Sequence, residues 1–494
     1  MTEIKGKNVT VIGLARSGAG AANLLHGMGS RVTVTDKKDE KDLEPFVTKL
    51  HPAIKRVLGS HPDDVIDEAD VIVVSPGVPM DIAPVMKARQ RGIPVIGELE
   101  LAYQAAAYYS SAGYDDTILQ SPVAKKAAFL AVTGTNGKST TTALLEFMLR
   151  KSGFKTLIGG NIGNALTEEI FKMVSDTDSQ RKTSRAGVDV DFIVAEVSSF
   201  QLESIQEFKP FGAAVLNITP DHLDRYATLQ EYCQAKSRIF ENQTQKDFLV
   251  LNHDDPATLR AAHEKMAGMS DIPNIFFFSR RETVKGLYCT GDTILCDFAG
   301  SLPVRSHTPI IDMNRIKIKG VHNLENAMAA SAMALLAGCP LESIRDSLKE
   351  FPGLEHRLEF VRDIDGVQYF NDSKGTNVAA VVRSLESFPQ PVILIAGGRD
   401  KAGDFSLLIH LVRERVKALV LIGEARAKIK KVLGDFTETI LADDLEDAVH
   451  AAQKRAGSGD VVLLSPACAS FDMFEDFEDR GRQFKRIVQE LSDE

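Results

Sequence analysis

The sequence predicts an α/β protein of three domains: a Rossmann-like N-terminal domain, a central P-loop ATPase-like parallel sheet with an antiparallel edge, and a second Rossmann-like domain at the C-terminus. Three observations carry that expectation. An apolar run at 129–132, a glycine loop and a helical stretch at 143–149 stand in the order strand, loop, helix. Upstream, strand-like runs at 8–13, 31–36, 69–77 and 93–97 alternate with helical ones. Downstream of Phe351-Pro352-Gly353, which reads as a hinge, the alternation resumes. The expected domains are therefore 1–120, 121–352 and 353–494.

The bulk composition bounds this reading. A chain of 494 residues is too long for one hydrophobic core. With 44% hydrophobic and 26% charged residues it has the make-up of a soluble globular protein. A net charge of −10 argues against nonspecific nucleic-acid binding, but leaves room for an anionic small substrate in a local basic pocket. The five cysteines (Cys233, Cys289, Cys296, Cys339, Cys468) are odd in number and form no C-x-x-C pair. Neither a disulfide framework nor a zinc site is expected, and a reducing cytoplasm fits. The first residues lack the apolar core of a signal peptide. No run reaches the ~18 apolar residues of a membrane span.

In the N-terminal domain, the strand at 8–13 runs into a turn with Gly13, Gly18 and Gly20. Ala15 stands where a dinucleotide fingerprint has its middle glycine, so a dinucleotide is disfavoured. Asp36, about 20 residues beyond the glycines, suits a ribose hydroxyl. A nucleotide-sugar diphosphate would use the same strand ends and helix N-terminus. Residues 105–114 have little period and read as a linker, with a boundary near Gln120.

The central domain holds Thr133-Gly134-Thr135-Asn136-Gly137-Lys138-Ser139-Thr140. It is shorter than the full G-x-x-x-x-G-K-[ST] pattern, because Val132 occupies the first glycine position. Glycine amides and a helix N-terminus would cradle phosphates, Lys138 would reach the β/γ-phosphates, and Ser139 would ligate Mg²⁺. A strand at 156–158 empties into Gly159-Gly160-Asn161-Ile162-Gly163. Residues 175–189 are polar and read as an exposed insertion. Glu196 ends a buried strand beside the phosphate loop, where a Mg²⁺ ligand belongs; the bland alternative is a cap on the next turn. His222, in the loop 219–225, reads by itself as a solvated histidine. Thr228 to Glu231 forms a capping-box pattern that starts a helix running to about Glu241. Lys236 lies on it, and composition alone gives that lysine no special status. Short strands from 276 to 298 suggest the antiparallel edge, and 320–327 opens a second amphipathic helix.

In the C-terminal domain, strands at 367–370, 392–396, 418–422 and 461–464 release loops at their carboxyl ends, where open α/β sheets place ligands. Lys374, Thr376, Lys401 and Ser470 supply more cations and hydroxyls than one α-carboxylate needs, which suits a dianionic amino acid.

With these loops in view, the chain resembles the Mur ligase family of bacterial cell-wall synthesis over essentially its whole length. The motifs are the loop around Lys138, Glu196-Val197-Ser198-Ser199-Phe200-Gln201-Leu202, the loop Asn217 to Arg225, His322-Asn323-Leu324-Glu325-Asn326, His356-Arg357, Asn371-Asp372-Ser373-Lys374-Gly375-Thr376-Asn377, and Leu464-Ser465-Pro466-Ala467-Cys468-Ala469-Ser470-Phe471-Asp472. The last two look like the D-glutamate-adding branch. The resemblance implies an ATP-dependent ligase joining D-glutamate to UDP-N-acetylmuramoyl-L-alanine through an acyl phosphate, in peptidoglycan precursor synthesis and hence in cell shape and division.

It also implies roles. ATP would be held by Gly134, Thr135, Asn136, Gly137, Lys138, Ser139 and Thr140, with Asn326 at the adenine, Arg357 at the phosphates and Asp372 at the ribose. Two Mg²⁺ ions would take Ser139, Glu196, His222 and a carbamylated Lys236. The uridine-diphospho substrate would meet Arg16, Ser17, Asp36, Lys38, Ser75, Gly77, Asn161, Ser198 and His222. D-Glutamate would meet Lys374, Thr376, Lys401, Ser470 and Phe471. The chemistry would rest on Lys138, His222, Lys236, Lys374 and Lys401. The expected protein is a cytoplasmic monomer with small-molecule partners, no nucleic acid and no membrane span. Two rivals are a related amide ligase acting with another amino acid, such as one extending folate, and a non-catalytic nucleotide switch. A folate ligase would not need the N-terminal domain, and a switch would not need Lys374 and Lys401.

Overall fold

A computed structural model describes residues 4–492 apart from 112–126, 181–189, 223–224, 299, 303–304 and 401–402. Lys401, the boundary at Gln120, and much of both the linker and the insertion lie outside the described residues. The chain divides into two compact units. One is Met1–Arg315 with Glu325–Lys349, and the other is Ile316–Leu324 with Glu350–Glu494.

The first unit holds two sheets. Strands β1 (Asn8–Ile12), β2 (Arg31–Asp36), β3 (Lys55–Leu58), β4 (Val71–Val74) and β5 (Val95–Gly97) form a parallel sheet in the order β3-β2-β1-β4-β5. The reversal beside β1 is the Rossmann-like switch point. The next sheet has nine strands. These are β6 (Ala128–Thr133), β7 (Thr156–Gly160), β8 (Phe192–Glu196), β9 (Gly212–Val215), β10 (Phe248–Asn252), β11 (Asn274–Ser279), β12 (Gly286–Thr290), β13 (Thr293–Asp297) and β14 (Thr308–Asp312). From β7 to β12 the pairings are parallel, and β12-β13-β14 supplies the antiparallel edge. The central strands are apolar without alternation because both faces are covered: all five residues of β8, FIVAE, are buried.

The helix Glu98–Ser111 corrects the linker reading of 105–114 over its first half. Alanine-rich sequence shows little hydrophobic period yet is the best helix former. Leu101, Ala102 and Ala105 are fully buried, and Tyr103 meets Phe129 and Phe208 edge-on at 5.4 and 5.6 Å. Glu100, also buried, accepts hydrogen bonds from the backbone amides of Gln206, Glu207 and Phe208. One core cluster accordingly includes residues of both sheets. The helix Leu166–Gln180 likewise takes up the start of the expected insertion.

The second unit is built on β15 (Glu359–Ile364), β16 (Val367–Asn371), β17 (Val392–Gly397), β18 (Val416–Ile422), β19 (Glu438–Leu441) and β20 (Val461–Leu464), in the order β15-β16-β20-β17-β18-β19. Only β15 runs antiparallel, so this too is a doubly wound sheet. Among the described residues, no helix is long and apolar enough to cross a membrane.

Candidate active site

The phosphate loop leaves β6 at Thr133 and enters the helix Lys138–Lys151. Gly137 has φ +84°, a left-handed conformation that glycine adopts without strain, and a Cβ there would stand 2.2 Å from Asn326 Oδ1. Asn326 is buried on the helix Val321–Leu336 and accepts a hydrogen bond from Thr141 Oγ1 at 3.3 Å. Asn217 clamps the loop from β9, accepting from Asn136 N at 2.9 Å and donating to Asn136 O at 3.1 Å. Ser139 and Thr140 are buried at the helix start. Lys138 is half-buried, not solvent-facing, and its Nζ donates to Gly134 O and Thr135 O at 2.8 and 2.9 Å.

Lys236 is only 1% exposed, which composition did not foretell. Its Nζ donates to the same Gly134 carbonyl at 2.8 Å and lies 4.6 Å from the ring centre of Tyr232, one helical turn earlier. Burial, and then the charge of Lys138, push the Lys236 ammonium well below its usual range. Both effects favour its neutral form. The helix begins at Thr228, whose Oγ1 accepts from Glu231 N, but Glu231 reaches Ala227 N instead of completing the reciprocal box.

Glu196 sits at the end of β8, opposite Val132 of β6. It is not a cap; Ser198 caps the next turn, in a box with Gln201. Glu196 Oε1 accepts from Asn161 Nδ2 at 2.6 Å, while its buried Oε2 has no hydrogen-bond partner among the described residues. A buried, partnerless carboxylate oxygen beside a phosphate loop fits a divalent cation. Among the described residues, no group of three or more His, Cys, Asp or Glu could hold a metal. His222, with φ +54°, is half-exposed, 3.8 Å from the Asp221 carboxylate and 4.8 Å between ring centres from Phe200.

At the switch point of the first sheet, the Asp36 carboxylate accepts from the amides of Leu14 and Lys38 at 2.7 and 2.9 Å, and Ser75 Oγ donates to Gly13 O at 2.7 Å. Both side chains hold the glycine turn in shape. Arg16 donates to Gly163 O, Ser17 is half-buried, and Lys38 and Gly77 are exposed.

The second unit gathers its own cluster. Asp372 is buried; its Oδ2 accepts from Ser384 and Ser465 hydroxyls, both at 2.7 Å, and its Oδ1 accepts from Leu358 N at 3.3 Å. Burial raises its carboxyl to about 6. Lys374 N donates to His356 O at 3.0 Å, and Lys374 Nζ stands 3.5 Å from the ring centre of Phe477. Thr376 and Arg357 are half-buried and Ser470 is buried, whereas Phe471 is 60% exposed. The ring against Lys374 is thus Phe477, at the start of the helix Phe477–Glu490, a residue outside the expected D-glutamate set. Arg480, fully buried on that helix, also went unnoticed. It donates to Ser373 Oγ, Ser373 O and Cys468 O at 2.9, 2.8 and 3.3 Å, tying the two signature loops together. An arginine in a strongly amphipathic helix reads as surface, so no local signal marks it. Tyr232 could have been found, since it precedes Lys236 by four residues on one helix face.

Family profiles match at residues 7–97 (Mur ligase MurD-like, N-terminal domain), 132–334 (Mur ligase middle domain) and 356–468 (Mur ligase, glutamate ligase domain). The chain is 46% identical to the UDP-N-acetylmuramoylalanine–D-glutamate ligase of Geotalea daltonii over 99% of both chains. It is 40% identical to that of Clostridioides difficile, over 99% of this chain and 100% of the relative. Its fold is similar to the solved UDP-N-acetylmuramate–alanine ligase of Thermotoga maritima, with a TM-score of 0.56 at 17% identity, covering 98% of this chain and 99% of that one. With relatives this similar along its whole length, the chain belongs to the Mur ligase family.

Proposed function

We propose that this chain adds D-glutamate to UDP-N-acetylmuramoyl-L-alanine, driven by ATP, in the cytoplasmic stage of peptidoglycan synthesis. The observation that carries this is the full-length likeness to ligases of that name, joined to a phosphate loop backed by two lysines.

A carboxylate resists attack by an amine because its oxygen is a poor leaving group. Transfer of the ATP γ-phosphoryl to the alanyl carboxylate gives an acyl phosphate and ADP. Attack by the amine of D-glutamate then expels phosphate and forms the amide. The glycine-loop amides and Lys138 hold the phosphates and stabilise the charge that builds on them. Asn326 serves the adenine, Asp372 the ribose and Arg357 the phosphates. Lys374, Thr376 and Ser470 receive the dianionic amino acid, together with Lys401. Phe471 joins them in the proposed D-glutamate set, and Phe477 packs against Lys374. At the first sheet, glycine-turn amides, Arg16, Ser17 and Lys38 receive the uridine-diphospho group, and Asp36 and Ser75 fix the turn that presents them. Asn161, Ser198 and His222 lie on the loops that would meet the muramoyl end.

Two Mg²⁺ ions fit the chemistry of the donors: Ser139 and Glu196 for one, His222 and a carbamylated Lys236 for the other. Bound there, they would neutralise charge on both reactants. The depressed ammonium of Lys236 supports the carbamate. A neutral amine adds CO₂ and releases one proton, turning a cation into an anionic oxygen ligand.

The test is phosphate release with UDP-N-acetylmuramoyl-L-alanine and each of D-Glu, L-Glu, L-Ala and meso-diaminopimelate. D-Glu should be preferred. Preference for another amino acid would overturn the substrate, and ATP turnover indifferent to amino acids would overturn the ligase reading.

A further inference from the structure

Three sulfur side chains from three separate elements meet at the antiparallel edge of the nine-stranded sheet. Cys289 lies on β12, Met313 opens the short turn Met313–Arg315 after β14, and Met328 lies on the helix Val321–Leu336. The Cys289 thiol donates to Met313 Sδ and to Met328 Sδ, each at an Sγ–Sδ distance of 3.8 Å. With metal–sulfur bonds of about 2.3 Å, two sulfurs on one ion stand about 3.8–4.0 Å apart. Met328 is fully buried, while Cys289 and Met313 are half-buried, so the cluster can be reached from solvent. None of the three has a part in the ligation reaction above.

We propose that Cys289, Met313 and Met328 form a binding site for one soft monovalent cation, Cu(I) or Ag(I). One thiolate and two thioethers are the donors such ions prefer over oxygen ligands. The charge balance selects a monovalent ion. Binding exchanges the thiol proton for the metal, Cys–SH + M⁺ → Cys–S–M + H⁺, with no change of oxidation state and the proton passing to water. The product is neutral, which suits a half-buried site whose thiol burial pushes up to about 11. A divalent ion would leave an uncompensated positive charge, because the two thioethers carry none. Arg280 and Asp254, opposite in sign, are the charged groups felt at Cys289.

The alternative is a thiol hydrogen-bonded to two packed thioethers that binds nothing further. Titration of the full chain with silver nitrate in chloride-free buffer, against a competing small thiol and read by native mass spectrometry, separates the two. One ion per chain should survive the competitor. Cys289→Ser should lose it, and Met313→Leu and Met328→Leu should each weaken it at least ~10-fold, about the size of effect seen when a supporting ligand is lost. Cys233→Ser, at the other half-exposed cysteine, should leave it unchanged. Leu for Met conserves volume, and half-buried Met313 gives a variant that folds even if Met328→Leu does not. X-ray absorption on the loaded protein should count three sulfur neighbours. Retention in Cys289→Ser, methionine variants that bind as tightly as wild type, or fewer than three sulfurs would each overturn the proposal.

Discussion

Gly137→Ala isolates how closely the phosphate loop approaches the helix behind it. The residue has φ +84°, and an alanine held there carries strain of about 1–2 kcal/mol. Its Cβ would also stand 2.2 Å from Asn326 Oδ1, so the buried amide must move and its bond from Thr141 is lost, about 1 kcal/mol more. The sum is a loss of about 2–3 kcal/mol. Gly163→Ala is the control, because Gly163 has φ +63° with nothing within 4 Å of its Cβ: strain without collision. It should lose only about 1–2 kcal/mol. Adding Asn326→Ala to Gly137→Ala removes the collision, so the double variant should be about 1 kcal/mol less destabilised than the sum of the singles. The assay is urea unfolding, comparing midpoints at constant m. In phosphate release, Gly137→Ala should act through the KM for ATP as well as through stability. Equal losses at Gly137 and Gly163, with strict additivity at Asn326, would refute the close-approach reasoning.

Lys138→Ala should abolish ligation, by at least ~10²-fold, while the thermal transition barely moves, since the bonds to the Gly134 and Thr135 carbonyls that it gives up lie in the loop itself; product formation at wild-type rate would remove the loop from the mechanism. Lys236→Ala should lose most activity and regain part of it with short carboxylic acids, whose oxygens replace the carbamate; no regain, together with undiminished wild-type activity in bicarbonate-depleted buffer, would make Lys236 a plain buried lysine. Asp372 should show in the pH dependence of stability. Its folded carboxyl is raised to about 6 from an ordinary 3.8, so its contribution is fully present below the unfolded value and is lost as pH rises through 6. That difference is worth about 3 kcal/mol. Between pH 4 and 7 the wild type should lose stability relative to Asp372→Asn by that order, and parallel curves would contradict the assignment.

The fold was legible wherever a strand is covered on both faces, because such strands are unbroken apolar runs. The strands at 192–196, 392–396 and 461–464 were read directly. One edge strand, β3, was missed for the opposite reason. Residues of β3, Lys55-Arg56-Val57-Leu58, are exposed or half-buried, so they carry the polar composition of a loop. In the site, the phosphate loop was plain because its function demands local chemistry: glycines, a lysine and a hydroxyl in sequence. Lys236 was not. Its meaning comes from a carbonyl 102 residues away, and no composition records that. Phe477 makes the same point. The signature loop brings Phe471 to attention, whereas Phe477, the first residue of the following helix, lies outside that loop and packs against Lys374.

The two lysines at the loop pose an electrostatic problem that the fold does not solve alone. Lys138 and Lys236 each place Nζ 2.8 Å from Gly134 O, so the two nitrogens are at most about 5.6 Å apart. Were both charged, their repulsion would be about 3 kcal/mol at an effective dielectric near 20. Burial of Lys236 adds to the penalty, and both effects favour loss of its proton. Shedding the proton removes the repulsion but leaves a neutral amine facing a loop built for anions. The proposed carbamylation would change the sign: the same pair would become attractive by a similar amount, and the anionic end would supply an oxygen ligand. The burial that makes Lys236 a poor ammonium is therefore the property that makes it reactive toward CO₂. A lysine exposed on the same helix would keep its proton and remain inert.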